Sequence, residues 1–173
     1  MNRKDSGMRR RNFMILGSII GISPYLSAQP ITPEQKRFAK IKKTIAAVQA
    51  HMLPDHTALP SARSMHTIDF LEETIFHSTY DRDIRRFVID GAEELERREG
   101  GKFTTYDTTR KEKALRAYET DSYGSNWLSR IMTLSMEAML GDPIYGSNIG
   151  ESGWKAVESF GGLPRPRTRY MGR

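Results

Sequence analysis

Thr32-Pro33-Glu34-Gln35-Lys36-Arg37-Phe38-Ala39-Lys40-Ile41-Lys42-Lys43-Thr44-Ile45-Ala46-Ala47-Val48-Gln49-Ala50-His51-Met52 is the stretch that decides the fold class. Thr32 can accept from a first-turn amide, Pro33 suits the first helical position, and Gln35 completes a capping box. Phe38, Ile41, Ile45, Val48 and Met52 then recur at alternating spacings of three and four, with lysines between them. That is one apolar stripe on an amphipathic helix, stopped by Pro54.

Downstream the same period repeats. A loop from Leu53 to Ser61 leads to a second stripe at Met65, Ile68, Leu71, Ile75 and Phe76. A third helix runs from about Asp81, with Ile84, Phe87, Val88 and Leu95 inward and Glu93, Glu94, Glu96, Arg97 and Arg98 on a solvated face. Gly100-Gly101 ends it where left-handed caps are common. Asp107 caps a fourth helix containing Ala114, Leu115 and Tyr118. A fifth spans Ser122 to Leu140, with Trp127, Ile131, Leu134 and Ala138 on one face, and Gly141-Asp142-Pro143 terminates it. Met132, Met136 and Met139 read as adaptable core packing. No run of β-branched residues alternates cleanly and no 20–50-residue period recurs. The expected fold is therefore all-α: a compact bundle of about five helices with a Gly/Pro/aromatic C-terminal loop segment.

Upstream, Met8-Arg9-Arg10-Arg11-Asn12-Phe13 precedes about ten apolar residues. Such a stretch suits the core of a signal peptide and is too short to span a bilayer as a helix. Arg10, Arg11 and Phe13 form a twin-arginine export motif, and Leu26-Ser27-Ala28 offers a cleavage site. The expected organisation is a signal over 1–28, a helical domain over 29–162 and a basic tail over 163–173. Export by that route predicts a periplasmic location and passage through the twin-arginine translocase as a folded protein. The net charge of +6 is concentrated in the signal. From Gln29 onward 22 Lys and Arg face 20 Asp and Glu, which argues against nucleic acid as a partner.

Chemistry of the chain's own is hard to find. The absence of cysteine excludes disulfides, thiolate metal sites and covalently held haem c. His51, His56, His66 and His77 lack the spacing of a helical metal motif, although His51 and His56 flank one loop. No nucleotide-binding glycine fingerprint, P-loop or nucleophile elbow is present. No residue is assigned a catalytic, cofactor-binding or metal-binding role. A twin-arginine signal on a chain with no cofactor motif suggests that the cofactor belongs to a partner.

The most informative segment follows the fifth helix. Gly141, Asp142, Pro143, Tyr145, Gly146, Asn148, Gly153 and Trp154 form a glycine-set loop carrying two aromatics, the composition of a contact surface for a partner chain. After it, Leu163-Pro164-Arg165-Pro166-Arg167-Thr168-Arg169-Tyr170 reads as an extended basic arm without apolar residues enough to fold alone.

Gly141-Asp142-Pro143-x-Tyr145-Gly146-x-Asn148, followed by Gly153-Trp154-Lys155, resembles the C-terminal signature of the gluconate 2-dehydrogenase subunit 3 family. The likeness extends to the twin-arginine signal, to Leu53-Pro54-Asp55 after the first helix and to the Ala62–Phe70 stretch. Ser147 stands where that family usually has a second glycine, and Ser159-Phe160-Gly161-Gly162 replaces its usual Gly-Tyr-Pro-like turn. The resemblance implies a division of labour. A large FAD-dependent dehydrogenase subunit oxidises the sugar acid, and a multihaem cytochrome c subunit passes electrons toward membrane quinone. The small, non-catalytic gamma subunit supports export and stability of the flavoprotein. The complex would sit at the inner membrane, with FAD and haem c in the other chains. Two alternatives stay open: a partner of another FAD-dependent sugar or polyol dehydrogenase, and a stand-alone all-α periplasmic enzyme.

Overall fold

The capping box at Thr32 forms as its residues suggest. In the computed structural model of the chain, which describes residues 30–169, the Gln35 amide donates to the Thr32 hydroxyl at 3.1 Å. The Thr32 amide donates to the Gln35 side chain at 2.8 Å. The export motif at Arg10, Arg11 and Phe13, the cleavage site at Ala28 and the end of the tail at Tyr170 lie outside the described residues. The described body is all-α: α1 (Pro33–Met52), α2 (Thr67–Ile75), α3 (Arg82–Arg98), α4 (Thr108–Glu119), α5 (Ser122–Leu140) and a short α6 (Ser152–Ala156). Single 3-10 turns lie at Phe103–Thr105, Pro143–Tyr145 and Ile149–Glu151.

Local chemistry explains the boundaries. Asp81, Asp107 and Asp121 each accept from amides in the first turn of α3, α4 and α5, satisfying donors that a helix start leaves orphaned. Gly100 and Gly101 take φ of 60° and 73°, so the chain leaves α3 through a conformation that a side chain would strain. α5 packs against each of the other five helices and is the axis of the bundle.

Trp127 on α5 is fully buried, and its indole Nε1 donates to the Val88 carbonyl at 3.0 Å. The indole lies against Gly91, where any Cβ would overlap it. Tyr118 closes the same contact by donating to the Gly91 carbonyl at 2.9 Å, and burial pushes its phenol pKa up. Phe38, Ile45, Leu71, Ile75, Leu95 and Ile131 complete the main core.

Three readings of the sequence are corrected. Helix α2 begins at Thr67, not at Met65. His66 adopts φ 53°, outside the right-handed region, so helix can propagate only after it. Met65 instead packs with Leu53, Ala62 and Met139 in a second, smaller cluster. On α3, Ile89 and Ala92 are fully buried while Ile84 and Phe87 are half-buried. Phe87 meets Tyr123 edge-to-face at 5.2 Å.

The third correction concerns Glu93 and Glu96 of α3, which join a half-exposed seam with α1, while Arg97 and Arg98 stay exposed as expected. Arg37 of α1 forks onto Glu93 at 2.9 and 2.6 Å and reaches Asp90 at 2.5 Å. Glu96 accepts from the Thr44 hydroxyl. The Arg37 guanidinium holds the Glu93 carboxyl below its ordinary range. Among the described residues no helix is long and apolar enough to cross a membrane.

Candidate partner interface

The residues singled out after α5 are ordered by one another. At the helix end the Gly141 amide donates to the Glu137 carbonyl at 2.8 Å. Asp142 then caps the next turn, accepting from the Ile144 amide at 3.0 Å, and Pro143 takes its first position. Gly146 turns the chain at φ 83°. Asn148 is fully buried at φ 48°, and its carboxamide works as a bracket. Its Nδ2 donates to the Gly141 carbonyl at 2.8 Å, and its Oδ1 accepts from the Gly153 amide at 2.8 Å. Gly153 lies so close to the Met139 carbonyl that no Cβ fits there. The bracket therefore draws α6 onto the end of α5.

Trp154 points inward rather than outward. It is 5% exposed, and its Nε1 donates to the Leu140 carbonyl at 2.6 Å. Arg165 lies over the indole at 4.6 Å and pairs with Asp142 at 2.6 Å and Glu151 at 3.1 Å. Arg169 reaches the Tyr145 carbonyl at 2.7 Å and Glu73 on α2 at 2.5 Å. The basic arm is thus strapped across its own loop, because its arginines find carboxylates and a ring face there. The arm, expected to lack the apolar residues to fold alone, packs on its own loop, and Trp154, grouped with the contact-surface residues, packs inward. Tyr145 is half-buried. Gly141, Asp142, Pro143, Gly146, Asn148 and Gly153 are scaffold for this module.

What the module turns outward is a set of side chains that sequence reading missed. Leu140, Ile149, Val157, Phe160 and Leu163 are 37, 44, 43, 78 and 86% exposed. Among the described residues, only Ile31 and Tyr123 are comparable elsewhere. Isolated exposed apolar residues are ordinary, and five within residues 140–163 of a braced segment are a local concentration that offers contact area to a partner. The sequence holds little sign of this, since the five share neither a helix nor a spacing.

Electrostatics tie the module to pH. The Arg165 guanidinium, then the Ile144 amide, hold the Asp142 carboxyl below its ordinary value. Asp81 and Asp121 are lowered by the amides they cap, Asp121 also by Arg98. Each folded carboxylate binds its proton less readily than the unfolded one. Its stabilisation is complete above the unfolded pKa, about 4, and is lost as pH falls through the lower folded value. Stability should be flat from pH 7 to about 5 and decline below about 4, as read by urea midpoints across that range. A maximum near pH 4 would contradict the caps and the Asp142–Arg165 pair.

The histidines do not converge into a metal centre. His51 Nε2 pairs with Glu112 at 2.6 Å, and Arg116 holds the other oxygen of that carboxylate at 2.8 Å. His56 sits exposed in the loop at φ 65°. Among the described residues no cluster of three His, Asp or Glu side chains is placed to hold a metal ion.

Residues 39–162 match the family model of gluconate 2-dehydrogenase subunit 3, a stretch that contains the whole Gly141–Lys155 module. The chain belongs to this family. No curated protein and no solved structure matches it. Membership makes the chain one subunit of a gluconate dehydrogenase-type assembly and implies partner subunits. In the subunit 3 fold described above, the signature residues shape the module from within, and the apolar side chains around them face out.

Proposed function

We propose that this chain is the non-catalytic small subunit of a periplasmic FAD-dependent gluconate 2-dehydrogenase-type complex. It supports twin-arginine co-export and stability of the flavoprotein. The large dehydrogenase subunit holds FAD and carries out oxidation, a multihaem cytochrome c subunit accepts the electrons, and the assembly associates with the inner membrane. The substrate is gluconate or a related sugar or polyol, recognised in the large subunit. The observation that carries this reading is the pairing of family membership with a braced module that exposes five apolar side chains. A surface of that kind is unfavourable in water and is stabilised against a partner.

The test is a double substitution, Phe160→Ser with Leu163→Ser. Both side chains are largely solvent-exposed in the isolated chain, so its Tm should stay within about 2 °C of wild type, as for surface changes generally. Loss of a hot-spot anchor costs about 2 kcal/mol or more, and Phe160 is the larger of the two anchors. Co-purification of the large subunit should therefore fall at least tenfold. Undiminished recovery of the complex would place the interface elsewhere.

A further inference from the structure

Away from the C-terminal module, α1, the start of α2 and the start of α4 enclose a groove of about 740 Å³. That is the size of a site for a ligand or a short peptide. Its floor is apolar and low, because Ala46, Ala47 and Ala50 of α1 present only methyl groups and Ile68 closes one side. The walls carry Lys43, Arg63 and Lys111, none of which has an ion-pair partner among the described residues. The carboxylate in the lining is Asp69, and Lys42 already holds it at 2.8 Å. Glu112, beside His51, is occupied by His51 and Arg116. The groove therefore presents unneutralised positive charge above a hydrocarbon floor.

A second observation sits in the same lining. Gln49 is fully buried, and its Nε2 donates to the Ser135 hydroxyl at 3.0 Å. That hydroxyl spends its own proton on the Ile131 carbonyl at 2.7 Å, so exchanging the ends of the carboxamide does not help. The Gln49 Oε1 is left without a donor. A buried acceptor is costly to leave unpaired, so Gln49 is a polar defect in the wall of an otherwise apolar floor.

We infer that this groove is a second docking site, and that it takes an extended acidic segment of the partner dehydrogenase subunit. The inference rests on the small-subunit reading above and adds a location and a chemistry to it. Apolar side chains of the segment lie on the alanine floor, and its Asp or Glu carboxylates meet Lys43, Arg63 and Lys111. Complementary charge of this kind governs partner choice and rate of encounter more than raw affinity.

The test uses the co-purified complex treated with a carbodiimide, which joins amines to carboxylates in direct contact, followed by peptide mapping. Lys43 and Lys111 should couple to one continuous acidic stretch of the dehydrogenase subunit. In parallel, the triple variant Lys43→Glu, Arg63→Glu, Lys111→Glu should weaken association about tenfold at low salt. The deficit should shrink as salt is raised, because screening removes the steering. The Tm of the isolated triple variant should be unchanged, since the three side chains hold no ion pairs. If the complex forms but Lys43 and Lys111 couple only within this chain or to a second copy of it, the groove proposal falls and the small-subunit reading stands. If no dehydrogenase subunit accompanies the chain at all, both fall.

Discussion

Trp154→Ala lowers the stability of the isolated chain by about 3–5 kcal/mol, the range for deleting a buried aromatic side chain. The indole is 5% exposed, donates to the Leu140 carbonyl and lies between Gly161 and the Arg165 guanidinium. Its removal leaves a cavity at the junction of α5 and α6 and an unpaired carbonyl at a helix end. For a chain of this size the loss corresponds to a fall in Tm of roughly 10 °C. Trp154→Phe keeps most of the volume and should recover more than half of the loss, failing only in the hydrogen bond. Thermal unfolding of the purified variants measures both. A melting temperature unchanged in Trp154→Ala, with loss of the partner subunit alone, would restore Trp154 as an outward anchor and refute its placement.

Asn148→Ala is expected to cost about 3 kcal/mol or more. Two buried backbone groups, the Gly141 carbonyl and the Gly153 amide, lose their partners. Each such group costs about 1–3 kcal/mol when left unsatisfied. Alanine must also hold a left-handed backbone that asparagine tolerates, at a further cost of about 1 kcal/mol. Asn148→Gly relieves the backbone penalty and leaves the bracket broken, so it should be the milder change by about 1 kcal/mol. Denaturant unfolding of the two variants separates the contributions. Equal urea midpoints for Asn148→Ala and the wild-type chain would mean that the bracket does not hold the module.

The bundle was largely legible in the sequence because its signals are local. Thr32, Asp81 and Asp107 mark helix starts by their own side chains, and the stripes of α1 and α5 show their buried faces through spacing alone. The start of α2 was not legible. The apolar period continues through Met65, and only the left-handed His66 interrupts it. Similarly, Glu93 and Glu96 have the composition of a solvated face, and nothing within α3 reports that Arg37 and Thr44 approach from α1.

The C-terminal module shows the same limit more sharply. Its glycines and Asn148 carry the family signature, yet the direction of Trp154 depends on Arg165, which arrives from beyond the loop and pairs with a residue 23 positions earlier. The exposed set from Leu140 to Leu163 emerges only when the chain between those residues is folded. The alanines of the groove floor read as ordinary helix formers. They become a trough because the Pro54–Arg63 connection and the start of α4 stand on either side of them.

The most direct measurement is the composition of what this chain brings with it. The chain, tagged at its C-terminus and expressed at native level, is purified from the membrane fraction under mild detergent and weighed by native mass spectrometry. An equimolar flavoprotein dehydrogenase subunit bearing FAD is expected, with the small chain itself colourless once separated. Recovery of the chain alone, at the mass of a single copy and with flavin or sugar-acid oxidation of its own, would contradict it.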